Sequence, residues 1–222
     1  MPHPKGGYKL GDGRSVPGVT TIIKRFQESG GLLQWAFQQG KEGHEFLYED
    51  RDKAAEVGTV AHALVEQHIA NLTFKDTLQD FSTVPPAVMA PARAAFGAFK
   101  TWERQTKLEI LHSEVSLVCE CHCFGGTLDA IGDIEDKLCL LDFKSANALY
   151  HDALYQMAAY RHLWAINHPL ERLDGGFHLL RFSKSSGDFA HHFFPELEEA
   201  WVGFQLMRTL FDIDKSLKKR AG

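Results

Sequence analysis

Two short segments that a two-residue turn can join constrain the fold of this chain more than any other feature. Residues 124–132 and 137–143 have the pattern of β-strands, and Glu135-Asp136 suits a tight turn between them. A hairpin closed by that turn places Asp129 opposite Asp142. Opposed residues of an antiparallel pair share a face, with Cβ atoms ~5 Å apart, and Lys144 points to the same side as Asp142. The sequence predicts two carboxylates and one ammonium on one face.

This cluster of charges needs compensation, because opposed carboxylates repel each other. The neighbouring Leu140, Leu141 and Phe143 indicate a buried strand, which argues against the alternative of a surface hairpin with a salt-bridging lysine. A hard divalent cation such as Mg²⁺ binds one or two carboxylates together with water and phosphate oxygens. Lys144 would then orient or deprotonate a water molecule, or neutralise a phosphate, and the sequence leaves these roles open.

The order of elements along the chain predicts an α/β fold in which a mixed sheet is flanked by helices. A hairpin over 8–17 is followed by helices, then three strands, a helix, two strands and a last helix opened by Pro195. The predicted helices cover 20–26, 32–39, 52–71, 87–106, 152–167 and 195–219. We expect one domain over 1–222, with a helical N-terminal part at about 18–106 and a sheet-containing core at about 107–222.

Composition limits the class of protein. The 222 residues are 44% hydrophobic and 24% charged, with a net charge of −5, which fits a globular chain and counts mildly against a bulk cationic nucleic-acid binder. The first residues lack the apolar core of a secretory signal, and we expect a cytoplasmic protein. The cysteines cluster at Cys119, Cys121 and Cys123. A zinc site with His122 is conceivable, but the C-x-C spacing favours free thiols.

Several short motifs resemble those of the PD-(D/E)XK nuclease superfamily, and in particular its RecB-like exonuclease branch. Gly-Thr-Leu-Asp129 and Leu-Leu-Asp142-Phe-Lys144-Ser resemble motifs II and III. Gly58-Thr-Val-Ala-His62 resembles the upstream G-x-x-x-H motif, and Gln156-Met-Ala-Ala-Tyr160 resembles the downstream Q-x-x-x-Y motif. Residues 17–23 resemble an N-terminal segment of phage-type members and of relatives of the mitochondrial genome-maintenance exonuclease. The motifs span about residues 17–160 in the family's order.

The resemblance implies a restriction-endonuclease-like fold and a role for each matching residue. Asp129 and Asp142 would bind Mg²⁺ or Mn²⁺, with His62 and the backbone carbonyl of Phe143 as further ligands. Lys144 would be the catalytic lysine. The remaining candidates are three substrate-contacting side chains and one motif I acid: Gln156, Tyr160, Ser145 and Glu114. Independently, Glu66 lies one helical turn after His62 and would hold its imidazole.

The resemblance also implies a substrate. A metal-dependent exonuclease acting on the ends of single-stranded DNA, in replication, recombination or repair, is the function expected, with a replication or recombination protein as a partner. A double-strand exonuclease or endonuclease of the same fold is one alternative, and a non-catalytic nucleic-acid-binding module is the other. No iron–sulfur cluster is expected, because all four cysteines lie between Cys119 and Cys139 rather than on both sides of the motifs.

Overall fold

The computed structural model describes residues 4, 6–26, 41, 47–73, 79–184 and 186–221, and over 47–56 it describes the backbone alone. The helix predicted over 32–39 lies outside the described residues. Within them, two sheets and five helices form the mixed α/β arrangement that the sequence predicts, with three helices before the main sheet. None of these helices combines the length and the apolar composition that a membrane-spanning segment requires.

The strands form a small and a large sheet. The small sheet pairs β1 (Tyr8–Lys9) with β2 (Ser15–Val16), as predicted for the N-terminal hairpin. The large sheet has five strands in sequence order: β3 (Glu109–Cys119), β4 (Phe124–Ile134), β5 (Lys137–Ser145), β6 (Phe177–Phe182) and β7 (Phe189–Phe194). Neighbouring strands are antiparallel except β5 and β6, which run parallel. A parallel pair needs a long crossover connection, and here the helix α4 (Asp152–Asn167) provides it.

The other helices cover both faces of this sheet: α1 (Val19–Phe26), α2 (Leu47–Leu72), α3 (Pro86–Thr106) and α5 (Glu198–Ala221). One apolar core lies between the sheet and α1, α4 and α5, and it buries Trp164 and Phe204. A second core lies between the sheet and α2 and α3, and its centre is Phe99. Each face of the sheet is therefore closed by helices, which explains why β4 and β5 are buried almost throughout.

The sequence predicted that Pro195 opens the last helix, and this prediction is wrong. The helix begins at Glu198, because the Glu196 side chain accepts a hydrogen bond from the Glu198 backbone N–H at 2.9 Å and so satisfies a free donor of the first turn.

The register predicted for the β4–β5 hairpin is confirmed. Ile134 pairs with Lys137, and the pairing continues without a shift to Ala130 and Leu141. Glu135 and Asp136 both have positive φ, 55° and 60°, as a two-residue turn of this twist requires. Because the turn fixes the register, Asp129 and Asp142 stand immediately beyond the last registered pair.

Candidate active site

The paired strands β4 and β5 separate at the point where the acidic residues lie. Their ladder stops at Ala130 and Leu141, although β4 extends back to Phe124 and β5 forward to Ser145. Beyond this pair, the Phe143 N–H donates a hydrogen bond of 2.8 Å to Asp129 Oδ2. A side-chain carboxylate thus accepts from the backbone of the neighbouring strand. The separation makes room for two carboxylates inside the sheet.

Asp142 and Lys144 complete the cluster. Asp142 is fully buried, and its Oδ2 forms an ion pair with Lys144 Nζ at 2.7 Å. Lys144 keeps 26% of its side chain exposed, so the ammonium lies at the boundary between the cluster and solvent. Among the described residues, Oδ1 of Asp129 and Oδ1 of Asp142 have no hydrogen-bond partner although both are buried. Two carboxylates therefore offer unused lone pairs, which is costly unless a ligand takes them.

The charges of the cluster shift one another. Burial, followed by the negative charge of Asp142, raises the pKa of Asp129 well above its ordinary value. Burial lowers the pKa of Lys144, but Asp142 and Asp129 together outweigh burial, so its pKa is raised. Lys144 is consequently a cation at neutral pH. One ammonium compensates for part of the charge of two carboxylates, and a cation would compensate for the rest.

His62 approaches the cluster from α2. Burial is the main cause that lowers the pKa of His62 to about 4, so the imidazole is neutral at pH 7, and the positive charge of Lys144 acts in the same direction. Its Nδ1 lies 3.5 Å from Glu66 Oε1, while its buried Nε2 has no hydrogen-bond partner among the described residues. A neutral imidazole whose second nitrogen is fixed by a carboxylate is the form in which histidine binds metal.

Gly58 explains how α2 comes so close to the sheet. A Cβ at this position would lie 2.6 Å from Ser145 Oγ and 3.1 Å from Lys184 Cα, so only glycine fits. His62 follows one turn later on the same helix. The G-x-x-x-H spacing therefore describes a close contact between helix and strand followed by a histidine directed at the cluster. Ser145 Oγ is buried and has no hydrogen-bond partner among the described residues.

Gln156 and Tyr160 lie on α4, on the other face of the sheet. The Gln156 amide donates a hydrogen bond of 2.7 Å to Tyr160 Oη, and both side chains are buried. Burial, and then the charges of Asp129 and Asp142, raises the pKa of Tyr160 well above its ordinary value. A Cβ at Gly126 would lie 2.6 Å from the Tyr160 ring, so this glycine makes room for it.

Glu114 has a different relation to the cluster. It lies on β3 between the pairs Ser113–Ala130 and Val115–Leu128, and is therefore in register with Asp129. Its φ of 50° interrupts the strand there, and it forms no hydrogen bond with the cluster among the described residues. The further acid that raises the pKa of Asp129 is instead Glu66. The sequence indicated Glu66 only as a partner of His62, although the i, i+4 spacing already placed both on one face.

A small cleft opens beside Lys144. Its volume is about 180 Å³, and its polar lining includes Lys144, Asp152 and Arg181. Arg181 pairs with Lys144 across the parallel strands β5 and β6, and its guanidinium donates to the Ala146 carbonyl at 3.1 Å. The sequence around Arg181 gives no sign of this position. Only the parallel pairing of β5 with a strand more than 30 residues away places this cation beside the lysine, and no local pattern reveals that pairing.

The fold and this cluster together define a mixed α/β protein with a buried carboxylate–lysine site where two central strands separate. No protein-family model matches the chain. No protein of curated function matches its sequence either.

Two solved structures resemble parts of the fold. The first, a "Putative exonuclease" from Eubacterium rectale, is 12% identical with a TM-score of 0.47, over 68% of this chain and 64% of that chain. The second, SSO0001, is 17% identical with a TM-score of 0.34, over 56% of this chain and 57% of that chain. This chain thus spans less than two thirds of either protein. Likenesses at this level leave the activity to be argued from the site itself.

Proposed function

We propose that the chain is a divalent-metal-dependent nuclease that hydrolyses phosphodiester bonds of DNA. The observation that carries the proposal is the buried pair Asp129 and Asp142, each with an unused carboxylate oxygen, beside the Lys144 ammonium. The donor set fits Mg²⁺ or Mn²⁺, since both are hard cations that take carboxylate oxygens. His62 Nε2 adds a neutral nitrogen, which Mn²⁺ accepts more readily than Mg²⁺ does.

Each residue of the site would have a separate role in hydrolysis. Asp129, Asp142 and His62 would hold the ion, with the Phe143 carbonyl as a backbone ligand. When bound, the ion activates water for attack and stabilises negative charge on the phosphoryl oxygens. Lys144 Nζ, 2.7 Å from Asp142 Oδ2, would orient or deprotonate the attacking water, or neutralise the phosphate. The Gln156 amide donates to Tyr160 Oη, and Arg181 lines the cleft beside Lys144, where a DNA backbone would enter. Ser145, whose Oγ is buried, stays a predicted substrate contact.

The finer part of the proposal concerns the substrate. The resemblance of the motifs to the RecB-like branch supports an exonuclease that degrades single-stranded DNA from its ends, within one nuclease domain. We place this activity in replication, recombination or repair, in the cytoplasm of a bacterial or phage-infected cell.

Degradation of labelled oligonucleotides tests the proposal. Single-stranded DNA labelled at its 5′ or 3′ end is incubated with Mg²⁺ or Mn²⁺, and with a chelator as a blank. Asp142→Asn and Lys144→Gln should abolish cutting, whereas Asp133→Asn, an acid further along β4, should not. Circular single strands should survive, because an exonuclease requires an end. Duplex ends and circular duplexes identify the double-strand exonuclease or endonuclease alternatives.

One result contradicts the proposal outright. If neither metal supports cleavage of any of these substrates while the protein still binds DNA, the chain is a binding module instead. Binding of Mn²⁺ is measured separately by calorimetry on the wild type and Asp142→Asn, so that a loss of metal is distinguished from a loss of chemistry.

A further inference from the structure

A second group of potential metal ligands lies away from the carboxylate site, where the β3–β4 turn meets α4. Cys119 ends β3, Cys121 lies in the turn, and His162 lies on α4. Cys119 Sγ is 3.1 Å from Cys121 Sγ and 3.7 Å from His162 Nε2, and all three atoms lie within 4.8 Å of one another. Donor atoms around one tetrahedral zinc ion stand about 3.5–3.8 Å apart, given Zn–S and Zn–N bonds of about 2.3 and 2.0 Å.

The surroundings hold these ligands in place. The His162 ring is stacked on Trp201 of α5, with centroids 4.1 Å apart and planes inclined by 17°. Arg208, also on α5, donates hydrogen bonds of 2.9 and 3.1 Å to the carbonyls of His122 and Cys123. The turn and the histidine are therefore both anchored by the same helix. A site held by three elements in this way is preorganised for a ligand.

His122 of the same turn could supply the fourth ligand if its ring turned, since only the Cys119, Cys121 and His162 donor atoms lie within 4.8 Å of one another. The His122 ring lies 5.2 Å from the His162 ring, centroid to centroid, in an edge-to-face arrangement. Two thiolates and two imidazoles form a common zinc-binding set. The two thiolates would neutralise the charge of the ion, which suits a partly buried site, and Arg208 is already paired with Asp212 at 2.7 Å.

We propose that Cys119, Cys121 and His162, with His122 as the fourth ligand, form a zinc site that ties the β3–β4 turn to α4. On binding, each thiol releases its proton to solvent and the resulting thiolate sulfur coordinates the ion. The turn leads directly into β4, which carries Asp129, so the ion would stabilise the strand on which the carboxylate site depends. The sequence favoured free thiols because C-x-C lacks the usual spacing, and His162 is 43 residues away from Cys119.

Cobalt substitution tests this site independently of the nuclease proposal. The full chain is purified under reducing conditions, stripped of metal and titrated with Zn²⁺ or Co²⁺. A thiolate-to-cobalt charge-transfer band should appear, and it cannot arise from a carboxylate site. Cys121→Ser and His162→Gln should each weaken zinc binding by more than the ~10–100-fold that loss of an outer partner costs. Substitutions at Cys121 and His162 should disturb the fold less than a substitution at Cys119, which is fully buried.

Two controls separate the sites. Cys123→Ser alters a thiol of the same turn that donates to the Glu120 carbonyl, and it should leave the cobalt band intact. Asp142→Asn should also leave it intact, whatever the fate of the nuclease activity. In the Asp142→Asn background, which disables the carboxylate site, zinc should raise the unfolding temperature with and without Cys123→Ser, but not with Cys121→Ser or His162→Gln.

Either of two outcomes would overturn the proposal. The first is a cobalt spectrum without the charge-transfer band. The second is equal zinc affinity with and without His162→Gln in the Asp142→Asn background. A Cys119–Cys121 disulfide in air, detected by mass, together with no zinc uptake after reduction, would instead identify the pair as an oxidisable dithiol.

Discussion

The helix α2 carries two histidines that belong to two contrasting charge clusters. His62 lies near Asp142 and Lys144. His68, six residues further along, contacts Glu103 of α3, which also binds Lys100. Both clusters pair buried carboxylates with a lysine and a histidine. They differ in how far their polar atoms are satisfied.

In the Glu103 cluster both carboxylate oxygens have partners. Oε1 lies 2.8 Å from His68 Nε2, and Oε2 accepts a hydrogen bond from Lys100. Burial raises the pKa of Glu103, but the hydrogen bonds from His68 and Lys100 outweigh burial, and the pKa is lowered. Around His62, by contrast, the imidazole and both carboxylates each have a buried polar atom without a hydrogen-bond partner among the described residues, and the pKa of Asp129 is raised. A satisfied cluster fastens two helices, whereas an unsatisfied one retains the capacity for a ligand.

Removing one acid from the unsatisfied cluster should give the largest effect on activity. Asp129→Asn should lower the rate of DNA hydrolysis by at least ~10²–10³-fold, the scale of losing one group that stabilises a transition state. Its free energy of unfolding without metal should stay within ~1 kcal/mol of wild type or rise, because a repulsive buried charge is removed. Initial rates and urea unfolding measure both. A normal rate, or a large loss of stability, would show that Asp129 is structural.

The satisfied cluster should respond in the opposite way. Glu103→Gln should cost about 1–3 kcal/mol of unfolding free energy, because it weakens hydrogen bonds to charged partners in a buried place. The hydrolysis rate per folded molecule should be retained. Glu109→Gln, at an exposed carboxylate that begins β3, is the matched control and should stay within ~0.5 kcal/mol. If Glu103→Gln lowered the rate at full stability, the distinction between the clusters would fail.

The sequence predicts the hairpin well because a two-residue turn and a buried face leave one register. It does not predict where the ladder stops, since this depends on Asp129 replacing a backbone acceptor for the Phe143 N–H. Residues that reach a site from remote elements are also invisible to local patterns. The position of Arg181 beside Lys144 depends on the parallel pairing of β5 and β6. The position of His162 beside Cys119 depends on how α4 packs against the β3–β4 turn. Local spacing thus indicates which residues could act, and tertiary packing decides which of them meet.

The depth at which α2 packs offers a third test of the comparison. Gly58→Ala would place a Cβ 2.6 Å from Ser145 Oγ and should cost about 1–2 kcal/mol through overpacking. The hydrolysis rate should fall as well, because His62 lies one turn further on the displaced helix. Adding Ser145→Ala should recover part of both losses, which unfolding and rate measurements on the double variant would reveal.

Gly97→Ala on α3 is the control for the glycine change itself. Nothing lies within 4 Å of a Cβ built at Gly97. Replacing this helical glycine with alanine should therefore raise the free energy of unfolding by ~0.5–1 kcal/mol. Equal behaviour of the two glycine variants would show that close packing of α2 on the sheet is not required for the site.

The smallest expected effect concerns pH, and it belongs to the satisfied cluster. The pKa of Glu103 is lowered on folding from the ordinary value of 4.5, so its contribution to stability is complete above that value. As the pH falls, the unfolded chain takes up the proton first, and the contribution is lost as the pH passes through the lowered pKa. The difference in unfolding free energy between wild type and Glu103→Gln should therefore be constant above about pH 5.5 and shrink towards pH 3. Urea unfolding across this range in a chelating buffer measures it, and groups that do not contact Glu103 cancel in the difference. A difference that grows on acidification would mean that the Glu103 carboxylate opposes folding, and the contrast between a fastening cluster and a ligand-binding one would then have to be abandoned.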